Sequence, residues 1–310
     1  MKLPIVMQNF LLHLNDENKS TNTLNNYSIN LQDFTNYFFK DKEPTLLDFE
    51  QLSTKDLSDW LKNLEVDRGL SIASINQRIA TLKKFYNYMV DTFQAIESNP
   101  TKQLKLKKHN ELYERPILTQ AEVRVLLETV NNKVLENNNY TNHRNELIIN
   151  LFLSTGMRIA ELSNIMLGDI KVKTQEIVIT GKGNKKRIIK PNETTWKLLE
   201  NYLVIRDKQI HSDDNALFLS RQKSGEGSYK LSTDQIRKMV VSVAKEADVT
   251  SITPHSLRHT HATLSFQNGV DVLYISKNLG HSSTAITERI YIHQTSEGAR
   301  QVAQVWDTIF

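Results

Sequence analysis

Six polar residues in the C-terminal half of the chain have types and settings that suit chemistry on a phosphodiester: Arg158, Lys182, His255, Arg258, His281 and Tyr291. A phosphodiester under attack gathers extra negative charge on its non-bridging oxygens. Guanidinium forks and imidazole donors match that charge and its geometry. A tyrosine hydroxyl, with a pKa of about 10, is a weak nucleophile at neutral pH. It needs a positive field or a neighbouring base. A lysine on a flexible hairpin can carry a proton to the departing oxygen. The sequence offers no paired-carboxylate cluster for Mg²⁺, which disfavours two-metal hydrolysis.

Each residue alone also has a plainer reading. Arg158 follows the helix-stopping Gly156 and lies three residues before Glu161, so it could simply pair with that carboxylate. Lys182 lies in TGKGNKKR, which reads equally as a tight turn with solvated lysines. That stretch lacks the P-loop pattern, so nucleotide hydrolysis finds no support. In TPHSLRHTHATL, His255 and Arg258 share a helix face, and so do His255 and His259. The second pairing raises a rival metal reading, but the H-E-x-x-H motif needs Glu where Ser256 stands. Tyr291, taken singly, is an ordinary packing residue.

These residues need elements to hold them. Residues 1–100 read as all-helical. Leu24, Tyr27, Leu31, Phe34 and Phe38 form one apolar face, and Ile72, Ile75, Ile79, Leu82, Tyr86 and Met89 another. Ser71 is the expected N-cap of the second. Leu57, Trp60, Leu61 and Leu64 mark a helix between them, and a first helix falls within residues 5–17. Asn99-Pro100 closes the unit. Residues 101–115 read as a charged linker, and a second unit spans 116–310. Thr119 and Glu122 make a capping box for its first helix. Asn131–Asn142 reads as a loop, and ELIINLFLS as a helix stopped by Gly156. EIVIT and KKRIIK flank GKGNK as a hairpin, Pro254 suits the first turn of a helix, and the pattern from Glu193 onward is helical.

The 310 residues carry a net charge of +4 and contain no cysteine, which excludes disulfides, thiolate metal sites and cysteine nucleophiles. The N-terminus has no signal-peptide pattern and no segment is apolar enough to span a membrane, so a cytoplasmic location is expected. Two basic clusters, Lys102/Lys105/Lys107/Lys108 and Lys182/Lys185/Lys186/Arg187, read either as solvated surface or as a nucleic-acid footprint.

In this order the residues resemble the tyrosine recombinase (phage integrase) family. The likeness rests on L-T-x-x-E at 118–122, T-G-M-R-I-x-E-L at 155–162 and G-K-G-x-K-x-R at 181–187. It continues through H-x-L-R-H at 255–259, L-G-H-S-S at 279–283 and I-Y-x-H at 290–293, and extends over the N-terminal helices. It implies a mainly α protein: an N-terminal helical core-binding (SAM-like) domain, and an α-rich catalytic domain with a small antiparallel β-sheet. It implies that Arg158 and Arg258 clamp the scissile phosphate and that His255 serves as acid/base partner. His281 would donate to the phosphate, Lys182 would protonate the leaving 5′ oxygen, and Tyr291 would attack phosphorus to give a 3′-phosphotyrosyl link that needs no cofactor, metal or ATP. Glu161 and Asp169 are structural in this resemblance. His281 and Tyr291 stand ten apart, one more than usual in the family's chromosome-dimer resolvases.

The implied partner is double-stranded DNA with an inverted-repeat core site, bound by four protomers on two sites, with a paralogous recombinase or accessory protein as a further partner. The tail SEGARQVAQVW would form a short helix docking on a neighbouring protomer, or packing in cis. Lys105, Lys107 and Lys108 would follow the DNA backbone. Asn76, Gln77, Thr81 and Lys84, taken as the exposed polar face of their helix, would read bases, unless they are ordinary solvated side chains. A type IB topoisomerase and a non-catalytic DNA-binding protein are the competing functions.

Overall fold

Hydroxyl side chains start most of the N-terminal helices. In the computed structural model, which describes residues 3–40, 42–107, 116–181, 184–209, 214–220, 229–249 and 251–280, the chain divides into two units, Met1–Tyr113 and Glu114–Phe310. The first contains α1 (Ile5–Asp16), α2 (Thr21–Phe39), α3 (Leu46–Glu50), α4 (Thr54–Val66) and α5 (Ile72–Asn87), the last running on as a π-turn at Tyr88–Thr92. Ser20 caps α2 and Ser71 caps α5, each accepting a backbone N–H three residues on. Thr45 with Asp48 and Ser53 with Asp56 form full capping boxes.

The apolar faces of these helices meet in an aromatic core. Phe10, Phe34, Phe49, Trp60 and Phe85 are fully buried, and Phe34 meets Trp60 edge-on at 5.5 Å. Each such ring contributes about 1.5–3 kcal/mol by leaving water. Residues 101–107 belong to the same packing: Leu104 enters the core, and Thr101 is buried against Asn99.

In the second unit, α6 (Gln120–Glu136) starts from the Thr119–Glu122 capping box and α7 (Tyr140–Thr155) ends at Gly156. The expected Asn131–Asn142 loop shrinks to three residues, Asn137–Asn139. The asparagines serve as caps instead: Asn139 accepts the Asn142 N–H, and the Asn142 amide donates to the carbonyls of Lys133 and Asn137. A short helix α8 (Ile159–Ser163) leads to a three-stranded antiparallel sheet of β1 (Ile170–Lys171), β2 (Glu176–Thr180) and β3 (Lys186–Ile189), in the order β1-β2-β3.

Then come α9 (Glu193–Asp207), α10 (Thr233–Glu246), α11 (Pro254–Gln267) and α12 (Val272–Leu279). α11 begins at the expected proline, with Thr253 as its N-cap. Ile148, Phe152, Trp196, Ile236 and Leu257 share one core with the inner face of the sheet. The β2–β3 register pairs Ile177 with Ile189 and Ile179 with Arg187. Partners across a ladder point to the same face. Arg187 therefore turns inward with the buried isoleucines, while Ile188 is 60% exposed. Of the two readings of its basic cluster, the solvated surface does not hold for Arg187. No helix among the described residues is long and apolar enough to cross a membrane.

Candidate active site

Glu161 organises the centre of the site. It is 3% exposed, one helical turn into α8. A carboxylate this buried must have cationic or N–H partners. Arg158, just before α8, supplies two: its backbone N–H donates to Oε2 at 2.7 Å and its Nη1 to Oε1 at 3.0 Å. Arg187 supplies a fork, Nη1 to Oε1 at 2.6 Å and Nη2 to Oε2 at 2.9 Å. Burial pushes the Glu161 carboxyl upward in pKa, but the bonds to Arg187 and Arg158 outweigh it and hold the group below its usual range. Glu161 is thus an anion fixing two guanidinium groups.

The end of α12 joins them. The last carbonyls of a helix lack intrahelical partners and carry its negative pole. Three consecutive ones are taken by three arginines: Asn278 O by Arg187 Nε at 3.0 Å, Leu279 O by Arg258 Nη2 at 2.8 Å, and Gly280 O by Arg158 Nη2 at 3.1 Å. Arg258 also donates from Nη1 to Gly156 O at 2.7 Å, which ties α11 to the end of α7. Gly156 has φ +63°, and a Cβ there would lie 2.5 Å from His261 Cδ2. A Cβ on Gly280 would lie 2.8 Å from Arg187 Nη1. Both turns need glycine for close approach.

His261 completes the support. Its Nδ1 donates to Leu153 O at 2.8 Å, while Nε2 faces the Asn278 amide at 3.3 Å. The Asn278 amide also donates to Thr155 O at 3.2 Å. Burial holds the His261 pKa below its ordinary value, and the charge of Arg258 adds to this, against the opposing bond to Leu153.

Of the six residues expected to do chemistry, Arg158 and Arg258 come together on neighbouring carbonyls. The Arg158 side chain is 38% exposed and its guanidinium keeps further N–H donors in hand. Arg258 is 5% exposed. His255 is exposed on the first turn of α11, three residues before Arg258, and its ring meets His259 edge-on at 5.3 Å. Lys182, His281 and Tyr291 lie outside the described residues. Two guanidinium groups on the Glu161 carboxylate, with a third, that of Arg258, on the adjoining carbonyl of Leu279, leave the site positive, suited to binding an anion. Arg187, Asn278 and His261 were not among the expected site residues. The alternation of β3 carried the signal for Arg187, while the other two depend on contacts distant in sequence.

In the N-terminal unit, Gln77 is exposed on α5, and Lys84 pairs with Glu17 at 3.0 Å. Thr81 is not on the exposed face. It is 3% exposed, accepting from Asn30 Nδ2 at 2.8 Å and donating to Gln77 O at 2.9 Å, because its place in the helical repeat falls beside Leu82 on the core side. Asn76 is partly buried and turned to the backbone of Lys107: Nδ2 donates to its carbonyl at 2.9 Å and Oδ1 accepts its N–H at 2.8 Å. Lys105 is exposed, Lys107 pairs with Glu65, and Lys108 lies outside the described residues.

The phage integrase family model matches residues 116–297, and that of the phage integrase N-terminal SAM-like domain matches residues 7–92. The tyrosine recombinase XerC of Caldanaerobacter subterraneus subsp. tengcongensis is 30% identical over 323 residues, covering 97% of this chain and 86% of that protein. Among solved structures, the Tn1549 transposon integrase in complex with transposon right end DNA aligns with a TM-score of 0.73 at 19% identity, over 97% of this chain and 99% of that one. A lambda integrase tetramer bound to a Holliday junction aligns with a TM-score of 0.67 at 17% identity, over 92% of this chain and 75% of that one.

Proposed function

The chain belongs to the phage integrase family, as a site-specific tyrosine recombinase of the Xer type, and on that premise we propose that it cuts and rejoins DNA through a 3′-phosphotyrosyl intermediate on Tyr291, without metal or ATP. The observation that carries this reading is the pair Arg158 and Arg258, drawn together on the adjacent carbonyls of Gly280 and Leu279.

In this reading the two guanidinium groups hold the non-bridging oxygens of the scissile phosphate, with His281 as a further donor. The Tyr291 oxygen attacks phosphorus and its proton passes to His255. The P–O5′ bond breaks as Lys182 gives a proton to the leaving oxygen. Religation runs the same steps backwards, with the 5′ hydroxyl of another strand as nucleophile. The phosphotyrosyl link conserves the bond energy, so no other source is required. We assign residues 1–100 to DNA binding, 101–115 to a connection whose Lys105, Lys107 and Lys108 meet phosphates, and 116–310 to catalysis. Gln77 and Lys84 remain candidates for base contact, whereas Asn76 acts by holding Lys107. Four protomers on two inverted-repeat sites, with a paralogous recombinase or accessory protein, would form the active assembly.

The test is covalent capture. Full-length protein is incubated in EDTA with a pool of nicked duplexes whose arms are randomised, and SDS-resistant adducts are isolated and sequenced. The expected result is an adduct enriched in one inverted repeat, absent in Tyr291→Phe. An adduct that survives in Tyr291→Phe would falsify the assignment of the nucleophile. Relaxation of plasmids lacking the enriched site would point instead to a type IB topoisomerase.

A further inference from the structure

We propose that Arg187 is a positioning residue for the phosphate-binding arginines, orienting Arg158 through Glu161 and fixing the end of α12 on which Arg158 and Arg258 converge. The inference rests on reading Arg158 and Arg258 as the phosphate clamp.

The sheet register turns Arg187 inward, and its side chain is 17% exposed. It is therefore poorly placed to present its own fork to a ligand. Instead it makes three bonds to two other elements: two to the Glu161 carboxylate on α8 and one to Asn278 O at the end of α12. Glu161 accepts from Arg158 at both oxygens as well, so one carboxylate sets the angle between the two arginines. Without Arg187, burial would favour the neutral acid, and Arg158 would lose a charged anchor. The same loss would free Asn278 O, beside the carbonyls that hold Arg258 and Arg158. Lysine cannot replace this geometry, because a single ammonium cannot fork onto two carboxylate oxygens while reaching a third acceptor on another helix.

The experiment uses full-length Arg187→Gln and Arg187→Lys with the nicked duplex recovered by covalent capture. It measures duplex affinity, Tm and the single-turnover rate of adduct formation. Each rate is taken on two substrates, one with the natural 5′ oxygen and one with sulfur at that bridging position, which leaves without needing a proton. Misplacing a phosphate ligand by about 1 Å costs about 100-fold in rate. Both variants are therefore expected to lose about that factor on both substrates while still binding the duplex. Wild-type rates in Arg187→Lys would overturn the proposal. So would restoration by sulfur, which would show Arg187 acting on the leaving group through the lysine hairpin. A rate loss that merely follows the loss of folded protein in both variants would overturn it too. If the wild-type chain forms no adduct on any duplex, the underlying reading fails and this one with it. Adducts formed equally by wild type and variants would remove the positioning role alone.

Discussion

His261 shows how one residue can support the site by bonding the helices that carry it. Its Nδ1 carries the proton toward Leu153 O, so Nε2 is the bare nitrogen facing the Asn278 amide. Protonation would set two donors against each other beside Arg258. The imidazole pKa is accordingly lowered, chiefly by burial. A depressed folded-state pKa gives stability that is present above the ordinary histidine value of about 6.5 and is lost as pH falls below it. The NMR titration of His261 is expected to have a midpoint below 6.5, and Tm between pH 7.5 and 5.5 should fall more in wild type than in His261→Gln. A midpoint at or above the ordinary value would sink this account. At the same scale, the pairing of Arg158 with Glu161 was legible, because three residues on a helix is contact distance. The role of His261 was not, since its partners Leu153 and Asn278 come from helices that meet only in the fold.

At the scale of elements, the sequence marked starts and stops well. Ser71, Thr119–Glu122, Pro254 and Gly156 stand where caps, a first turn and a stop were expected. Local rules decide these positions, so local sequence reveals them. The Asn-rich stretch misled because asparagine favours both loops and caps, and here it caps. Thr81 misled because a polar residue was assigned to the outer face, when Asn30 waits for it inside. Gly156 allows a quantitative test. Alanine there would adopt a left-handed conformation costing about 1–2 kcal/mol, and its methyl would collide with His261. Overpacking adds about 1–3 kcal/mol. Gly156→Ala should lower the Tm of the C-terminal unit by about 4–20 °C, read by calorimetry. A change within about 1 °C would mean that the turn and His261 adjust freely.

For the whole molecule, the proposed function has the two units divide the work of holding and cutting. The resemblance covered nearly the full chain, so architecture and family were readable in advance, including the small sheet. What the sequence did not disclose is how residues 101–107 begin. They stay bonded within the first unit, with the backbone N–H and C=O of Lys107 both held by Asn76. Under the proposed function this fixes where the lysines start along the DNA. Replacing Lys105 by alanine should weaken duplex binding across sequences alike and reduce the slope of log K against log salt by about 1. An unchanged slope would remove Lys105 from the backbone contacts. The pairing of Lys107 with Glu65 is partly exposed and therefore weak, so it is no obstacle to exchange for phosphate.

Three adjacent carbonyls on one helix end each receive a different arginine, and two of those arginines share a carboxylate. Such a knot has no separable strands. Removing any one member loosens the others, so single substitutions at 158, 187 and 258 would each claim much of the same loss, and their tallied effects would exceed that of the triple change. The contribution of the cluster belongs to the set, and only combined substitutions can measure it.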